Sequence, residues 1–254
     1  MISKSVPLQP LDAARAVVFS PIGGHGLVEQ AVRRIGEAIG LGLLEVGERL
    51  PPEGQLAVQF GIAPMTLRQA LSILREAGYV ETRRGRGGGT FVRRAVPPAP
   101  AKAASARLRS LTVEDVRDLT EFRRLVAGAS AALAAERASA AEIEELRSLV
   151  EQMAAPPAFA DFRRADSRFH LTITSATRSQ RLVAAETQLQ GELSDLLALI
   201  PHPPEALRLS NGQHRAVLEA ITWREPEAAK ALMETHVDGT GDFLVGLRLG
   251  VVGQ

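Results

Sequence analysis

The stretch over residues 53–94, EGQLAVQFGIAPMTLRQALSILREAGYVETRRGRGGGTFVRR, constrains the fold more than any other part of the chain. Leu67, Ala70, Leu71 and Leu74 recur at i, i+3, i+4 and i+7, so the spacing predicts a helix over 64–77 with one apolar face. Pro64 suits the first helical position and Gly78 falls just past the end. A shorter helix is predicted over 53–60, ended by Gly61 at little steric cost. Two β-like segments, 79–83 and 90–93, then flank RGRGGG, whose glycines permit the positive backbone angles of a tight hairpin tip. Two short helices, a tight turn and an arginine-studded hairpin are the order of a winged helix-turn-helix, which nominates double-stranded DNA as the partner.

Charge is distributed to match. Over residues 25–95 ten Arg face seven Asp or Glu; from 96 to 254 eighteen Lys or Arg face twenty-one acids. A basic module that meets phosphate is thus followed by an acidic one that does not. With no cysteine, disulfides and thiolate sites are excluded. No apolar run approaches the roughly 20 residues of a membrane span. Residues 1–24 carry no apolar signal-peptide core, so a cytoplasmic location is expected.

Periodicity divides the chain further. Residues 1–24, with Pro7, Pro10 and Pro21, read as a flexible arm. Leu27, Val28, Ala31, Val32, Ile35 and Ile39 open the winged-helix domain, assigned to 25–94, with a helical face. AVPPAPAKAASA starts an extended linker, 95–107. From 108 to 254 the pattern is helical throughout, with helices predicted over 112–138, 140–153, 157–174, 179–200, 204–223 and 226–249. Thr112 and Asp115 have the spacing of a capping box. The expected fold is mainly α: an N-terminal winged helix-turn-helix and a C-terminal all-α bundle.

On the recognition helix Met65, Thr66, Arg68, Gln69, Ser72 and Arg75 are left facing outward. Thr66 can donate to phosphate, Arg68 can hold guanine or phosphate, and Gln69 can read adenine. In the hairpin Arg83, Arg84, Arg86, Arg93 and Arg94 occur with no acid between Thr82 and Arg94. Arginines on a glycine tip suit close approach to a narrow minor groove.

These residues carry a family resemblance. Gly42-Leu43-Leu44, Gly47, Leu50-Pro51, Leu56-Ala57, Gly61-Ile62, Thr66-Leu67-Arg68, Ala70-Leu71, Leu74, Gly78-Tyr79-Val80 and Gly89-Thr90-Phe91-Val92 together resemble the winged helix of the GntR family of bacterial transcription regulators. The resemblance implies DNA contacts by Thr66, Arg68, Arg84 and Gly85; Arg86 is added from its place in the tip. Gly54 stands where the family usually has Arg, and Ala63-Pro64 where it usually has Ser or Thr followed by Arg. Operator sequence therefore does not carry over, and the arginine-rich wing is the candidate compensation.

In the helical half, Asp166 and His170 are four apart, a chelating spacing on one helix face. His214 and His236 lie 22 apart on the last two predicted helices, enough for an antiparallel hairpin to bring them together. One oxygen and three nitrogens suit a divalent transition metal, zinc before nickel or manganese. Singly, each histidine is more often a surface or capping residue. ADSRFHLTITSAT, GQHRAVLEAI and AKALMETHVDG together, with the opening LTEFRRLVAGASAALAAERA, resemble the FadR-like (FCD) effector domain of GntR regulators. That resemblance implies a bundle of six or seven helices, Asp166, His170, His214 and His236 as metal ligands, and a small organic acid in an internal pocket. Arg123 is the candidate partner for its carboxylate. Ala127 stands where the family usually carries Glu.

The resulting expectation is a homodimeric, non-enzymatic transcription regulator, a repressor, binding a palindromic operator with an affinity that a small carboxylate modulates. The alternative is a metal-dependent hydrolase with a nucleic-acid-binding tether, since the same ligands can activate water.

Overall fold

The computed structural model describes residues 11–93, 110–155, 158–197 and 204–252; the linker over 95–107, Arg94 and His202 lie outside them. Four helices and one hairpin make the N-terminal part: α1 (Asp12–Val18), α2 (Leu27–Gly40), α3 (Glu53–Phe60), α4 (Pro64–Glu76), β1 (Val80–Arg83) and β2 (Gly89–Val92). Six helices follow among the described residues: α5 (Val113–Arg137), α6 (Ala140–Ala154), α7 (Phe159–Ala176), α8 (Gln180–Leu197), α9 (Pro204–Thr222) and α10 (Pro226–Val252).

The winged helix forms as its pattern predicts. Leu67, Ala70, Leu71 and Leu74 are buried on α4 and pack with Ala31, Ile35, Ala38 and Ile39 of α2. Pro64 occupies the first turn of α4, where its missing N–H is no loss. The two strands pair antiparallel with Val80 opposite Val92 and Arg83 opposite Gly89. Gly85 and Gly87 turn the tip at φ +94° and +89°, a region that side chains disfavour.

The stretch read as a flexible arm is corrected in part. Asp12–Val18 are helical, and Leu11, Ala14, Val18 and Phe19 are buried in the same cluster as the winged-helix core. Seven residues are too few for a periodic signal to emerge from sequence. Their order comes from packing against α2 and α8. That cluster also contains Leu171 of α7 and Val183 of α8, so the two halves of the chain share apolar contacts.

In the helical half the most extensive packing is α5 against α10. The reason lies in small side chains: Ala127, Ala131, Ala134 and Ala135 let the axes approach. A Cβ added at Gly128 would lie 2.8 Å from Glu234 Cγ, and one at Gly241 2.5 Å from Thr120 Cγ2. Ala127 itself is buried in this aliphatic core. The predicted capping box at the start of α5 is present, with Thr112 Oγ1 accepting from Asp115 N at 3.0 Å and Asp115 Oδ2 accepting from Thr112 N at 2.7 Å. Helix α7 packs against α5, α6 and α8 and is buried almost continuously from Ala165 to Ala176. Polar side chains on such a helix are cut off from water: Thr174 Oγ1 donates to His170 O at 2.9 Å, while Thr172 Oγ1 and Ser175 Oγ have no partner among the described residues.

Candidate metal centre and nucleic-acid face

Three helices bring the four candidate ligands together. Asp166 and His170 project from successive turns of α7, His214 from α9 and His236 from α10. One ligand atom from each lies within 4.8 Å of the others, and all four residues are buried. His214 Nε2 is 3.1 Å from His236 Nε2 and 3.3 Å from Asp166 Oδ1; His170 Nε2 is 3.3 Å from His236 Nε2. Three imidazole nitrogens aimed at one another and at a carboxylate oxygen form a donor set that a divalent cation satisfies.

The electrostatics favour the ligand-competent forms. Burial pushes His170 down to about 3, against a smaller opposing pull from Asp166. Burial also lowers His214 and His236. Burial thus favours the neutral form of all three imidazoles, the form a metal ligand needs. Burial alone would raise Asp166, but Arg163, His214, His170 and Arg123 outweigh it and hold the carboxyl below its ordinary value.

Around the ligands stands a second set of side chains. Arg163 Nη1 donates to Asp166 Oδ2, leaving Oδ1 for the centre. Its Nη2 also reaches Ser194 Oγ at 3.3 Å and Ser167 Oγ at 3.4 Å. Gln213 Oε1 lies 3.1 Å from His236 Nδ1. None of these was singled out from sequence, although Arg163 precedes Asp166 by one helical turn and Gln213 adjoins His214. Arginine and glutamine at helix positions ordinarily read as solvated.

A cavity of about 220 Å³ opens beside the cluster. Arg123, Arg163, Asp166, Gln213 and His236 supply its polar wall; Phe162, Leu193 and Phe243 supply part of its apolar wall. Arg123, 3% exposed, thus lines the cavity beside the cluster. Burial lowers its pKa, while Glu186 and Asp166 pull the other way. A buried guanidinium beside a metal-type donor set is suited to a carboxylate.

The proposed DNA-facing residues sit some distance along the chain on the winged helix. Arg68, Gln69, Arg84, Gly85 and Arg86 are exposed and Thr66 is half-buried. Arg68 Nε is held by Glu53 Oε2 at 3.1 Å, an exposed pair worth little in water and readily exchanged for phosphate. Arg83 is committed within the wing: it lies over the Phe91 ring at 4.3 Å and pairs with Glu81 at 2.7 Å.

Comparison with known proteins joins both sites to one family. The family described as bacterial regulatory proteins, gntR family, matches residues 27–92, and the FCD domain matches residues 118–239. The HTH-type transcriptional regulator RmpR of Mycobacterium gastri is 37% identical over 211 residues, covering 81% of this chain and 76% of that protein. The chain belongs to the GntR family, with an FCD C-terminal domain. It is a DNA-binding transcription regulator, and its relatives are regulators rather than enzymes. A regulatory protein named for the L-lactate dehydrogenase operon of Escherichia coli (strain K12) is 31% identical, covering 76% of this chain and 77% of its own length. The Glc operon transcriptional activator of the same strain is 28% identical, covering 77% and 80%. The solved structure of E. coli McbR/YncC shares the fold at TM-score 0.52 and 18% identity, covering 87% of this chain and 98% of that one. Among the described residues no helix of this GntR protein is long and apolar enough to cross a membrane.

Proposed function

We propose that this GntR regulator is a homodimeric repressor whose operator affinity is set by a small carboxylate bound beside a divalent metal in the FCD domain. The convergence of Asp166, His170, His214 and His236 beside a cavity that also contains Arg123 carries the reading. The four side chains would hold the ion, zinc before nickel or manganese, and the ion would supply a fixed positive charge with open positions for an oxygen ligand. Arg123 would take the same carboxylate by charge-assisted hydrogen bonds. The relative named for an L-lactate dehydrogenase operon supports an organic acid as the class of effector.

Thr66, Arg68 and Gln69 on α4, with Arg84, Gly85 and Arg86 in the wing, form the reading face. One winged helix covers only a few base pairs, so a two-fold pair on a palindrome supplies the discrimination an operator needs. A DNA partner supports a cytoplasmic location as part of this reading. Repression is the proposed sign, although a relative is named as an activator; a reporter behind the protein's own operator decides it.

The decisive experiment is native mass spectrometry of the purified protein with elemental analysis, followed by operator titration with and without added acid. A dimer carrying one transition-metal ion per chain, with His170→Ala depleted of metal, is the expected result. Full metal content in His170→Ala, or a metal-free wild type that cannot be loaded, overturns the centre. Turnover of esters or phosphoesters abolished by His214→Ala would favour the hydrolase instead.

A further inference from the structure

Each imidazole of the cluster turns Nε2 inward and leaves Nδ1 for an outer partner. His236 Nδ1 has Gln213 Oε1 at 3.1 Å. His214 Nδ1 has none among the described residues. His170 Nδ1 faces Glu186 of α8, whose Oε1 lies 3.8 Å away. Glu186 is 1% exposed. Its Oε1 accepts from Gln190 Nε2 at 2.8 Å, and its Oε2 has no hydrogen-bond partner among the described residues.

A carboxyl buried this deeply with one oxygen unsatisfied is destabilising unless a neighbouring group uses it. Packing does not account for it: Val183 and Leu189, on the same helix, fill apolar space with apolar atoms. Arg123 lines the cavity, and among the described residues no ion pair joins it to this carboxyl. The atom in front of Glu186 is the outer nitrogen of a candidate metal ligand. Bringing 3.8 Å into hydrogen-bond range takes a shift of under about 1 Å, within reach of a carboxylate turning on its stem.

We propose that Glu186 is a positioning residue for the metal centre: it accepts the Nδ1–H of His170, fixing the tautomer that presents the Nε2 lone pair to a divalent cation. With Arg163 on Asp166 and Gln213 on His236, it completes an outer ring that orients three of the four ligands. The carboxylate–histidine–metal relay also makes the imidazole a stronger donor. This inference rests on the metal-centre reading, and it adds a residue from α8, which supplies no direct ligand.

The test measures zinc affinity of the full-length protein by competition with a chromophoric chelator, and melting of the metal-free protein. It compares wild type with Glu186→Gln, which keeps an acceptor of the same shape, and Glu186→Leu, which keeps none. Expected is a 10- to 100-fold loss of affinity, of that order, in Glu186→Leu and a smaller loss in Glu186→Gln. Metal-free Glu186→Leu should melt no lower than wild type, because a buried, half-satisfied carboxyl has been removed. The cobalt-substituted wild type and Glu186→Leu should differ in their visible ligand-field bands. Unchanged affinity in Glu186→Leu, with tight binding by wild type, overturns the role of Glu186 and leaves the metal centre standing. Lower affinity together with lower metal-free melting in both variants overturns it too, by marking the residue as structural. A wild type that binds no zinc, nickel or manganese removes the centre and this inference together.

Discussion

At the scale of single residues, burial decides what each polar group does. Glu142 is the clearest case outside the Asp166 and histidine cluster. It caps α6 by accepting from Ser139 N at 2.8 Å, and it receives Arg178 Nη1 at 2.5 Å and Nη2 at 2.8 Å. Burial would raise its carboxyl, but the bonds from Arg178 and Ser139 outweigh that and hold it below the ordinary carboxylate value. A depressed folded pKa means the charged form stabilises the fold above the unfolded value, about 4.3, and that this stabilisation is lost as pH falls through the lower folded one. Glu142→Gln is therefore expected to destabilise by about 1–3 kcal/mol at pH 7. Urea unfolding should show that gap narrowing as pH drops below about 4. A gap of constant size down to pH 3 would mean that the charge is not what holds this corner.

At the scale of elements, the proposed reading face divides the work of meeting DNA between the recognition helix and the wing. Arg68→Ala should weaken specific operator binding by about 1–3 kcal/mol, read by fluorescence anisotropy; binding equal to wild type would mean that α4 does not carry the base contacts. In that proposal the wing tip acts through charge. Replacing both Arg84 and Arg86 by Ala should reduce the slope of log K against log salt by about 1 for each lost phosphate contact. An unaltered slope takes the wing out of the interface. The arginine-rich hairpin was legible in the sequence as five cations, yet not all of them are available. Arg83 stacks on Phe91 and pairs with Glu81, a contact made by the strand register and invisible to a count of charges. The capping box at Thr112 was legible for the opposite reason, since both partners lie within one turn.

At the scale of the molecule, α7 links the two halves of the chain. Its inward face carries Asp166 and His170. From other positions on the same helix, Arg168 reaches Glu45 of the winged-helix half at 2.5 Å and Glu145 of α6 at 2.6 Å. Arg164 and Arg168 lie against Gly42, which sits at φ +71°. A Cβ at Gly42 would stand 2.7 Å from Arg164 Cγ and 2.9 Å from Arg168 Cδ. Gly42→Ala should thus lose about 1–2 kcal/mol from the left-handed backbone alone, with a further loss as the arginine stems are pushed off. Thermal unfolding and hydrogen exchange along 40–48 would report it. A variant as stable as wild type, with unchanged exchange there, would show that the halves do not bear on each other at this point.

Sequence by itself determined the elements and the chemistry on offer. Helical periods, the glycine hairpin, the i,i+4 spacing of Asp166 and His170 and the family motifs depend on residues close together in the chain, where period and propensity act directly. Tertiary structure decided which of those groups meet. It ordered Asp12–Val18 through α2 and α8, brought His214 and His236 to Asp166 and His170 on α7, and set Arg163, Gln213 and Glu186 around them. Such groups carry no local signature, because an arginine or glutamate on a helix looks solvated until the packing of other helices takes its water away.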